Sequence, residues 1–120
     1  MKNVLKDKSF AFAVRVVKLT RWLETEKREY ILSKQILRSG TAIGALICEA
    51  DFAQSKADFV SKMSISLKEA NETRYWLKLL KETDYLKDEL FDSLYEDVSE
   101  LIKILVSSVK TTKTKLLSDK

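Results

Sequence analysis

The stretch LRSGTAIGALICEA, residues 37–50, decides the fold because it holds both glycines of the chain, Gly40 and Gly44. Such a pair suits a phosphate-binding loop, a break between helices, or a helix packed closely against a neighbour. No predicted strand precedes Gly40 and no P-loop lysine follows, which argues against the phosphate loop. Apolar and small residues recur here at helical spacing, namely Leu32, Ile36, Gly40, Ile43, Ile47 and Ala50. This rhythm predicts one helix over residues 30–52 with both glycines inside it.

The two glycines need a structural reason. A glycine inside a helix costs about 1 kcal/mol relative to alanine, so the pair costs about 2 kcal/mol. We expect that close approach of a neighbouring helix offsets this cost, and Trp22, Phe59 and Trp76 are candidates to fill the groove. A membrane-type glycine pair is a poor explanation, because charged residues bracket a segment of only ten residues.

The composition favours one all-helical domain. The chain has 120 residues, no proline and two glycines, and 45% of its residues are hydrophobic. A β-rich fold needs frequent turn residues, which are missing here. The hydrophobic content also excludes a disordered polyampholyte, although 33% of the residues are charged. The sequence therefore predicts a single domain over residues 1–120, built from long helices and few turns.

Three further helices follow from the same periodicity. One covers about residues 9–25, one begins after Ser55 and ends near residue 81, and one covers about residues 87–113. Ser9 or Asp7 is expected to cap the first helix and Ser55 the third, whereas residues 113–120 are expected to fray. Four helices joined by short turns predict an all-α, antiparallel up-down-up-down four-helix bundle.

The net charge of +4 is unevenly distributed along the chain. Residues 1–21 contain six basic residues and one acidic residue, and residues 101–120 contain five and one. Residues 22–100 contain 16 acidic and 11 basic residues. The predicted topology brings both basic termini to one end of the bundle, so we expect an electrically bipolar molecule.

Basic residues near an aromatic ring suggest a nucleic-acid interface. Arg15 and Lys18 share one face of the first helix with Trp22, and cations beside an aromatic side chain suit a nucleic-acid backbone and its bases. The candidate nucleic-acid-binding residues are Arg15, Lys18, Arg21, Lys103, Lys110 and Lys113. The alternative, which the sequence leaves open, is a basic face that is merely solvated.

The second and third predicted helices carry several glutamates, among them Glu49, Glu69 and Glu72. Carboxylates inside a four-helix bundle are typical of a di-metal site, but that site requires histidine and the chain has none. No metal or cofactor is therefore expected. Buried glutamates need partners, and the alternative is that they face water. The predicted structural salt-bridge cluster comprises Arg38, Glu49, Glu69 and Glu72, with Lys62 and Arg74 as further partners.

No constellation of catalytic residues is apparent. Cys48 is the only cysteine and lies in an apolar helix, so it is expected to be a small core residue rather than a nucleophile. The lack of histidine removes the usual general base. Neither a membrane span nor a signal peptide is predicted, so we expect a cytoplasmic protein that is not an enzyme.

The first and fourth helices carry more apolar surface than a monomer needs. Apolar residues occupy more than half of their circumference, and on the fourth helix Leu90, Ile102 and Val106 lie outside the main stripe. A helix in a monomeric bundle needs a stripe of only about 100°. We therefore expect the chain to form a homo-oligomer.

Three segments resemble one protein family: 8–19 (KSFAFAVRVVKL), 33–50 (SKQILRSGTAIGALICEA) and 53–80 (AQSKADFVSKMSISLKEANETRYWLKLL). They resemble the four-helix-bundle proteins encoded in intervening sequences of bacterial 23S ribosomal RNA genes. The family is also similar to the accessory variability determinant proteins of diversity-generating retroelements. The family-like positions are Gln35, Arg38, Ser39, Gly40, Ile43, Gly44, Glu49, Ala50, Asp58, Phe59, Glu69, Glu72, Trp76 and Leu77.

The resemblance implies an antiparallel four-helix bundle that assembles as a homopentamer. The retroelement relatives are basic barrels that bind nucleic acid and a reverse transcriptase, so the resemblance suggests the same kinds of partner. Two positions depart from the family pattern: a small polar residue is usual at Ala42, and asparagine is usual at Leu46. These departures reduce the polarity expected between residues 38 and 50.

These observations support three hypotheses. We expect a non-enzymatic homo-oligomeric bundle that binds nucleic acid, RNA rather than DNA, through a basic end or face. The alternative is a protein-interaction scaffold that serves a reverse transcriptase or a ribosome-associated factor without contacting nucleic acid. A metal-dependent enzyme that uses Glu49, Glu69 and Glu72 is the weakest hypothesis, because the chain lacks histidine.

Overall fold

The computed structural model describes residues 3–118, and these residues form four α-helices. They are α1 (Val4–Glu26), α2 (Leu32–Ala50), α3 (Lys56–Glu82) and α4 (Asp88–Ser118). Each helix packs against its neighbours in sequence, and α1 also contacts α4, so the four helices surround one core. Short turns at residues 27–31, 51–55 and 83–87 reverse the chain. The predicted all-α, up-down-up-down four-helix bundle is confirmed.

The core follows the apolar stripes of the four helices. On α2, the predicted stripe is buried from Ile36 to Ala50, while Leu32 at its start is half-buried. Facing it, α1 contributes Phe12, Val16, Leu19 and Leu23, and α4 contributes Phe91, Leu94, Val98, Leu101, Leu105 and Val109. Every buried side-chain nitrogen or oxygen within residues 3–118 has a hydrogen-bond partner. The bundle is therefore closed by packing, with its few internal polar groups satisfied.

The two glycines lie inside α2, and neither has a positive φ angle, so they are not needed for a turn. They are needed for space. A Cβ atom on Gly40 would stand 2.8 Å from Cγ2 of Val16, and one on Gly44 would stand 3.2 Å from Oγ of Ser9. The predicted close approach is thus present, and α1 is the helix that approaches.

The prediction of which residues fill the glycine groove is wrong. The groove is filled by the small side chains of Val16 and Ser9 rather than by Trp22, Phe59 or Trp76. The reason is geometric: when two helix backbones approach this closely, only small side chains fit between them. The three aromatic residues instead lie nearer the surface of the bundle: Trp22 is exposed, and Phe59 and Trp76 are half-buried.

The start of α1 also differs from the prediction. The helix begins at Val4, because the side chain of Asn3 accepts a hydrogen bond from the Lys6 backbone N–H at 3.0 Å. Ser9, a predicted cap, is instead buried within the helix, and its hydroxyl donates to the Lys6 carbonyl. The predicted cap of α3 is confirmed, since Ser55 Oγ accepts from the Asp58 backbone N–H at 3.0 Å.

Glu29 caps α2 from outside the helix. Its carboxylate accepts backbone hydrogen bonds from Ile31 at 3.2 Å, Leu32 at 3.1 Å and Ser33 at 2.8 Å. Only 8% of Glu29 is exposed. Because the first N–H groups of a helix have no partner within it, this carboxylate satisfies them and also favours the positive end of the helix dipole. It therefore sets the position of α2 after the turn.

The C-terminal segment continues α4. The sequence predicts a frayed segment over residues 113–120, yet the helix runs through to Ser118, and residues 119–120 lie outside the described residues. This segment contains neither glycine nor proline, and the hydroxyls of Thr114 and Ser118 bond back to carbonyls four residues earlier. Nothing in the local sequence therefore ends the helix.

The pair α1 and α4 is the loosest seam of the bundle. These two helices contact each other much less extensively than the other three neighbouring pairs. Two ion pairs, Lys8–Glu100 and Arg15–Asp97, cross the seam, which opens into a cleft near Trp22. Within residues 3–118, no helix is both long and apolar enough to cross a membrane.

Candidate nucleic-acid interface

Several basic residues of α1 are already engaged by carboxylates. Arg15 donates to Asp97 at 2.5 Å and to the hydroxyl of Ser93 at 3.0 Å, across the seam to α4. Lys8 of α1 pairs with Glu100 of α4 at 2.6 Å. The Arg15 charge is therefore already offset by Asp97, although the sequence places Arg15 among the candidate nucleic-acid-binding residues.

Lys6 is engaged in the same way at the end of α2. Its ammonium lies 2.5 Å from the Asp51 carboxylate. Hydrogen bonding to Asp51 and the attraction of its charge raise the pKa of Lys6 above its ordinary value. Since the Lys6 ammonium is charged at neutral pH, its pairing with Asp51 leaves one fewer unpaired cation near the start of α1.

Two other candidates on α1 carry unopposed charges. Lys18 and Arg21 are exposed, and neither forms an ion pair with any residue in the described range 3–118. They lie toward the end of α1 that leads into the first turn. Cations of this kind bind phosphate groups without first losing a carboxylate partner.

The three candidates on α4 are also exposed. Lys103, Lys110 and Lys113 form no ion pair within the described part of the chain. The start of α1 shares a cavity with Ile104 and Ser108, so residues after Ser108 extend past the beginning of α1. Val109 is still buried in the core, so Lys110 lies at this end of the bundle and Lys113 lies about one turn further along α4.

The structure does not bring the six candidate residues together. Trp22 lines a cleft with Leu90, so Lys18 and Arg21 lie near that level of α4. Lys113 lies 23 residues further along α4 than Leu90, or about 35 Å at the helical rise. Of the unpaired candidates, Lys18 and Arg21 therefore lie on α1, while Lys103, Lys110 and Lys113 are spread along α4 from its middle toward its end, rather than at a single basic end.

A mostly apolar cleft opens between α1 and α4 beside Lys18. It has a volume of about 240 Å³ and is lined by Arg15, Lys18, Leu19, Trp22, Leu90 and Leu94. Leu19 and Leu94 are buried and form its floor, while Trp22 and Leu90 are each 37% exposed and form its walls. The Lys27 ammonium lies 5.3 Å from the centroid of the Trp22 ring, a favourable cation–π distance.

The predicted salt-bridge cluster divides into two parts. Arg38 of α2 contacts both Glu69, at 3.3 Å, and Glu72 of α3, and the indole N–H of Trp76 donates to Glu72 at 2.9 Å. The Glu69 side chain is only 14% exposed, whereas that of Arg38 is 55% exposed. This part ties α2 to α3 at the rim of the bundle.

Glu49 forms the second part, away from Arg38. It pairs with Lys62 at 3.5 Å, and its side chain is 56% exposed. Ala42 and Leu46 follow Arg38 at intervals of four residues on the same face of α2, and both are half-buried. The two departures from the family pattern therefore place apolar side chains between the two ion pairs.

Two further predictions, the partner of Arg74 and the burial of Cys48, differ from the structure. Arg74 stacks over the Tyr95 ring, 5.4 Å from its centroid, instead of joining the glutamates. Cys48 is exposed rather than buried, because it follows the buried Ile47 by one residue and a helix turns about 100° per residue. Among residues 3–118, no group of three or more cysteine or acidic side chains could hold a metal ion.

An apolar face lies on the solvent side of α1 and α2. On α1, Phe10 and Val14 are 71% and 38% exposed. On α2, Leu37 is 37% exposed, and Ala45 and Cys48 are also exposed. Since Gly40 and Gly44 hold these two helices in close contact, their outer faces form one surface. We refer to residues 10, 14, 37, 45 and 48 as the α1–α2 apolar face.

Comparison with known proteins identifies the family. The model of the 23S rRNA-intervening sequence protein family matches residues 1–107. The chain belongs to this family. The match to the 23S rRNA-intervening sequence proteins spans α1, α2, α3 and α4 up to residue 107, and so includes Gly40, Gly44, Arg38 and the glutamates. The predicted family resemblance is confirmed.

A solved structure agrees with this membership. The chain is similar to a protein of unknown function from the S23 ribosomal protein family of Bacteroides thetaiotaomicron VPI-5482, whose crystal structure extends to 1.70 Å. The two are 56% identical with a TM-score of 0.89, and the match covers 90% of this chain and 96% of the other. No functionally curated protein matches the chain significantly.

Sequence reasoning missed most of the surfaces described above. The apolar stripe of Phe10 and Val14 is readable from spacing, but Leu37 gives no signal of exposure until the packing of α1 on α2 is known. The same holds for the cleft walls, because Trp22 and Leu90 are 68 positions apart in the chain. The ion pair that engages Arg15 spans 82 positions and is equally invisible in the local sequence.

Proposed function

We propose that this family member is a non-enzymatic, homo-oligomeric bundle that binds RNA through the unpaired candidate cations of α1 and α4. The observation that carries the proposal is the contrast among the basic residues. Lys6, Lys8 and Arg15 are paired with carboxylates, whereas the candidates Lys18, Arg21, Lys103, Lys110 and Lys113 have no ion pair within residues 3–118. Unpaired surface cations release counterions from a phosphate backbone at little cost.

The family setting supports RNA over DNA. The family is named for intervening sequences of 23S rRNA, and its solved relative carries the name of a ribosomal protein family. The unpaired candidates extend over about 35 Å, from the level of Trp22 and Leu90 to Lys113, and this spread suits a long, folded polyanion better than a small anion. Structured RNA therefore fits the spacing as well as the charge.

The direct test is the salt dependence of binding. Affinity for a structured RNA would be measured at about 50 and about 200 mM salt, and engagement of five cations predicts a loss on the order of 10²–10³-fold. Undetectable binding at the lower salt concentration would exclude the proposal.

We propose that the oligomer forms through the α1–α2 apolar face. Phe10 is 71% exposed and lies with Val14 and Leu37 on the outer side of α1 and α2, and an exposed apolar face of this kind marks a protein interface. The resemblance to pentameric relatives sets the expected number of copies at five. The expected mass is then five times 13.8 kDa, or 69 kDa.

Light scattering at micromolar concentration tests the assembly. The wild-type chain should give a mass near 69 kDa, and Phe10→Glu should shift it toward 13.8 kDa without loss of helical circular dichroism. Phe52→Glu is a matched control, since Phe52 is 85% exposed in the second turn, outside the proposed face. A wild-type mass of 13.8 kDa would refute the assembly.

The apolar face also favours the second candidate function, a protein-interaction scaffold. A reverse transcriptase or a ribosome-associated protein would then dock where we place the subunit contact. Pull-down from the native host in the presence of nuclease separates the two functions. A partner that remains after nuclease treatment, and that Phe10→Glu releases, would favour the scaffold over direct RNA binding.

A further inference from the structure

We infer that the cleft between α1 and α4 binds an unpaired nucleobase against the indole of Trp22. This inference rests on the proposed RNA binding and adds to it a site and a kind of ligand. A flat aromatic ring is the part of the RNA that the cleft accepts, while the phosphates on either side of that base reach the cations of α1.

The shape of the cleft supports a single ring system. Its volume of about 240 Å³ is enough for one base. Trp22 and Leu90 form opposite walls on different helices, and the buried Leu19 and Leu94 close the bottom. Stacking on an exposed tryptophan is how proteins bind single-stranded nucleic acid with little sequence preference.

The charges around the cleft select an anion-bearing ligand. Its lining includes no carboxylate and two cations, of which Arg15 is already paired with Asp97. Lys18 has no ion pair within residues 3–118, so it is the cation at the cleft that is available to a phosphate group. An uncharged apolar side chain would fill the cleft without using Lys18, whereas a nucleotide uses both the apolar cleft and this cation.

The cleft has little means of choosing among the bases. Its floor consists of leucine side chains, which offer neither hydrogen-bond donors nor acceptors. The two polar residues at its edge, Arg15 and Lys18, are donors only. Recognition should therefore depend on the presence of a ring, and the four bases should bind with similar affinity.

Part of this site is predictable from the sequence. Arg15, Lys18 and Trp22 share a face of α1 by their spacing, and the structure places all three in the cleft. What the spacing could not show is that Arg15 is held by Asp97, which leaves Lys18 as the free cation at the rim.

The test compares two RNA strands of the same length and phosphate number. One is a single-stranded oligonucleotide of mixed sequence, and the other carries abasic nucleotides in its central part. Because the electrostatic contribution is equal, the difference reports base contacts alone. Wild type should bind the base-bearing strand at least about five-fold more tightly.

Variants locate the difference in the cleft. Trp22→Leu keeps an apolar wall but removes the indole, so it should abolish the five-fold preference and leave affinity for the abasic strand unchanged. Leu90→Gln changes the opposite wall on α4 and should weaken the preference in the same way. Trp76→Phe is the control, because Trp76 lies with Glu72 on α3, outside the cleft, and should retain the preference.

Three outcomes would overturn the inference, and they remain distinguishable. Equal binding of the two strands by wild type rejects the nucleobase site while RNA binding stands. No binding of either strand rejects the RNA proposal and the site together. A change of oligomeric mass in Trp22→Leu assigns the cleft to a subunit contact and also rejects the nucleobase site.

Discussion

Gly40 lies directly against Val16, so closely that a methyl group at Gly40 would stand 2.8 Å from Cγ2 and 2.9 Å from Cγ1 of that valine. The branched side chain of Val16 is fully buried and has no exposed side to which it could retreat. The contact therefore fixes how far α1 stands from α2. It also fixes the spacing of the outer faces of these helices, which form the proposed subunit contact.

Replacement of Gly40 should destabilise the bundle. Gly40→Leu forces side-chain atoms into the space of Val16 and should lower the free energy of unfolding by more than about 1 kcal/mol through overpacking. Gly44→Ala is the matched comparison, because its nearest neighbour, Ser9 Oγ at 3.2 Å, is the tip of a small side chain. There the gain in helix propensity of about 1 kcal/mol offsets the tighter contact. Denaturant unfolding measures both effects, and a neutral Gly40→Leu would disprove the close packing.

Removal of the Glu29 carboxylate should destabilise α2. Glu29→Ala leaves three backbone N–H groups at the start of the helix without their acceptor, and the expected loss in unfolding free energy is about 1–2 kcal/mol. Glu29→Gln retains one carbonyl oxygen and should give a smaller loss. Thermal and denaturant unfolding provide the measurement. Equal stability of Glu29→Ala and wild type would show that solvent or other groups replace the cap.

Loss of the Arg38 guanidinium should have a moderate, salt-sensitive effect. Arg38→Met keeps the aliphatic stem but leaves Glu69 and Glu72 without their shared cation, so we expect a loss of about 1 kcal/mol at low ionic strength. The loss should shrink at about 1 M salt, where the charges are screened. Glu49→Gln is the comparison, since its pair with Lys62 is long and exposed, and it should change stability by less than about 0.5 kcal/mol. Equal effects of the two substitutions would contradict the division of the cluster.

The periodicity around residues 37–50 predicts much of the fold because helical spacing is a local property. The glycines within α2, the Ser55 cap and the core stripes of all four helices follow from neighbours within one or two turns. Glu29 is a different case: its carboxylate bonds to residues only two to four positions ahead, but glutamate is not a usual cap and the segment resembles an ordinary polar turn.

The candidate site is less predictable because charge has to be assessed in three dimensions. Arg15 and Lys18 look equivalent on a helical face, and only the long-range approach of Asp97 shows that one is paired and the other is not. The same limit applies to Glu49, which the sequence groups with Arg38. Which helix fills the glycine groove likewise depends on packing, and no local pattern distinguishes Val16 from an aromatic residue.

The central claim is that RNA contacts the unpaired lysines of α4, and the slope of binding affinity against salt concentration tests it most directly. We would compare wild type with a triple variant that carries Lys103→Gln, Lys110→Gln and Lys113→Gln. The control triple variant, Lys34→Gln, Lys68→Gln and Lys87→Gln, removes the same net charge from exposed positions on other parts of the bundle.

The account predicts that the α4 triple variant lowers the slope of log affinity against log salt by about 3, one for each lost phosphate contact. The control triple variant should leave the slope close to that of wild type. Equal reductions in the two variants, or no measurable RNA binding by wild type at about 50 mM salt, would contradict the account.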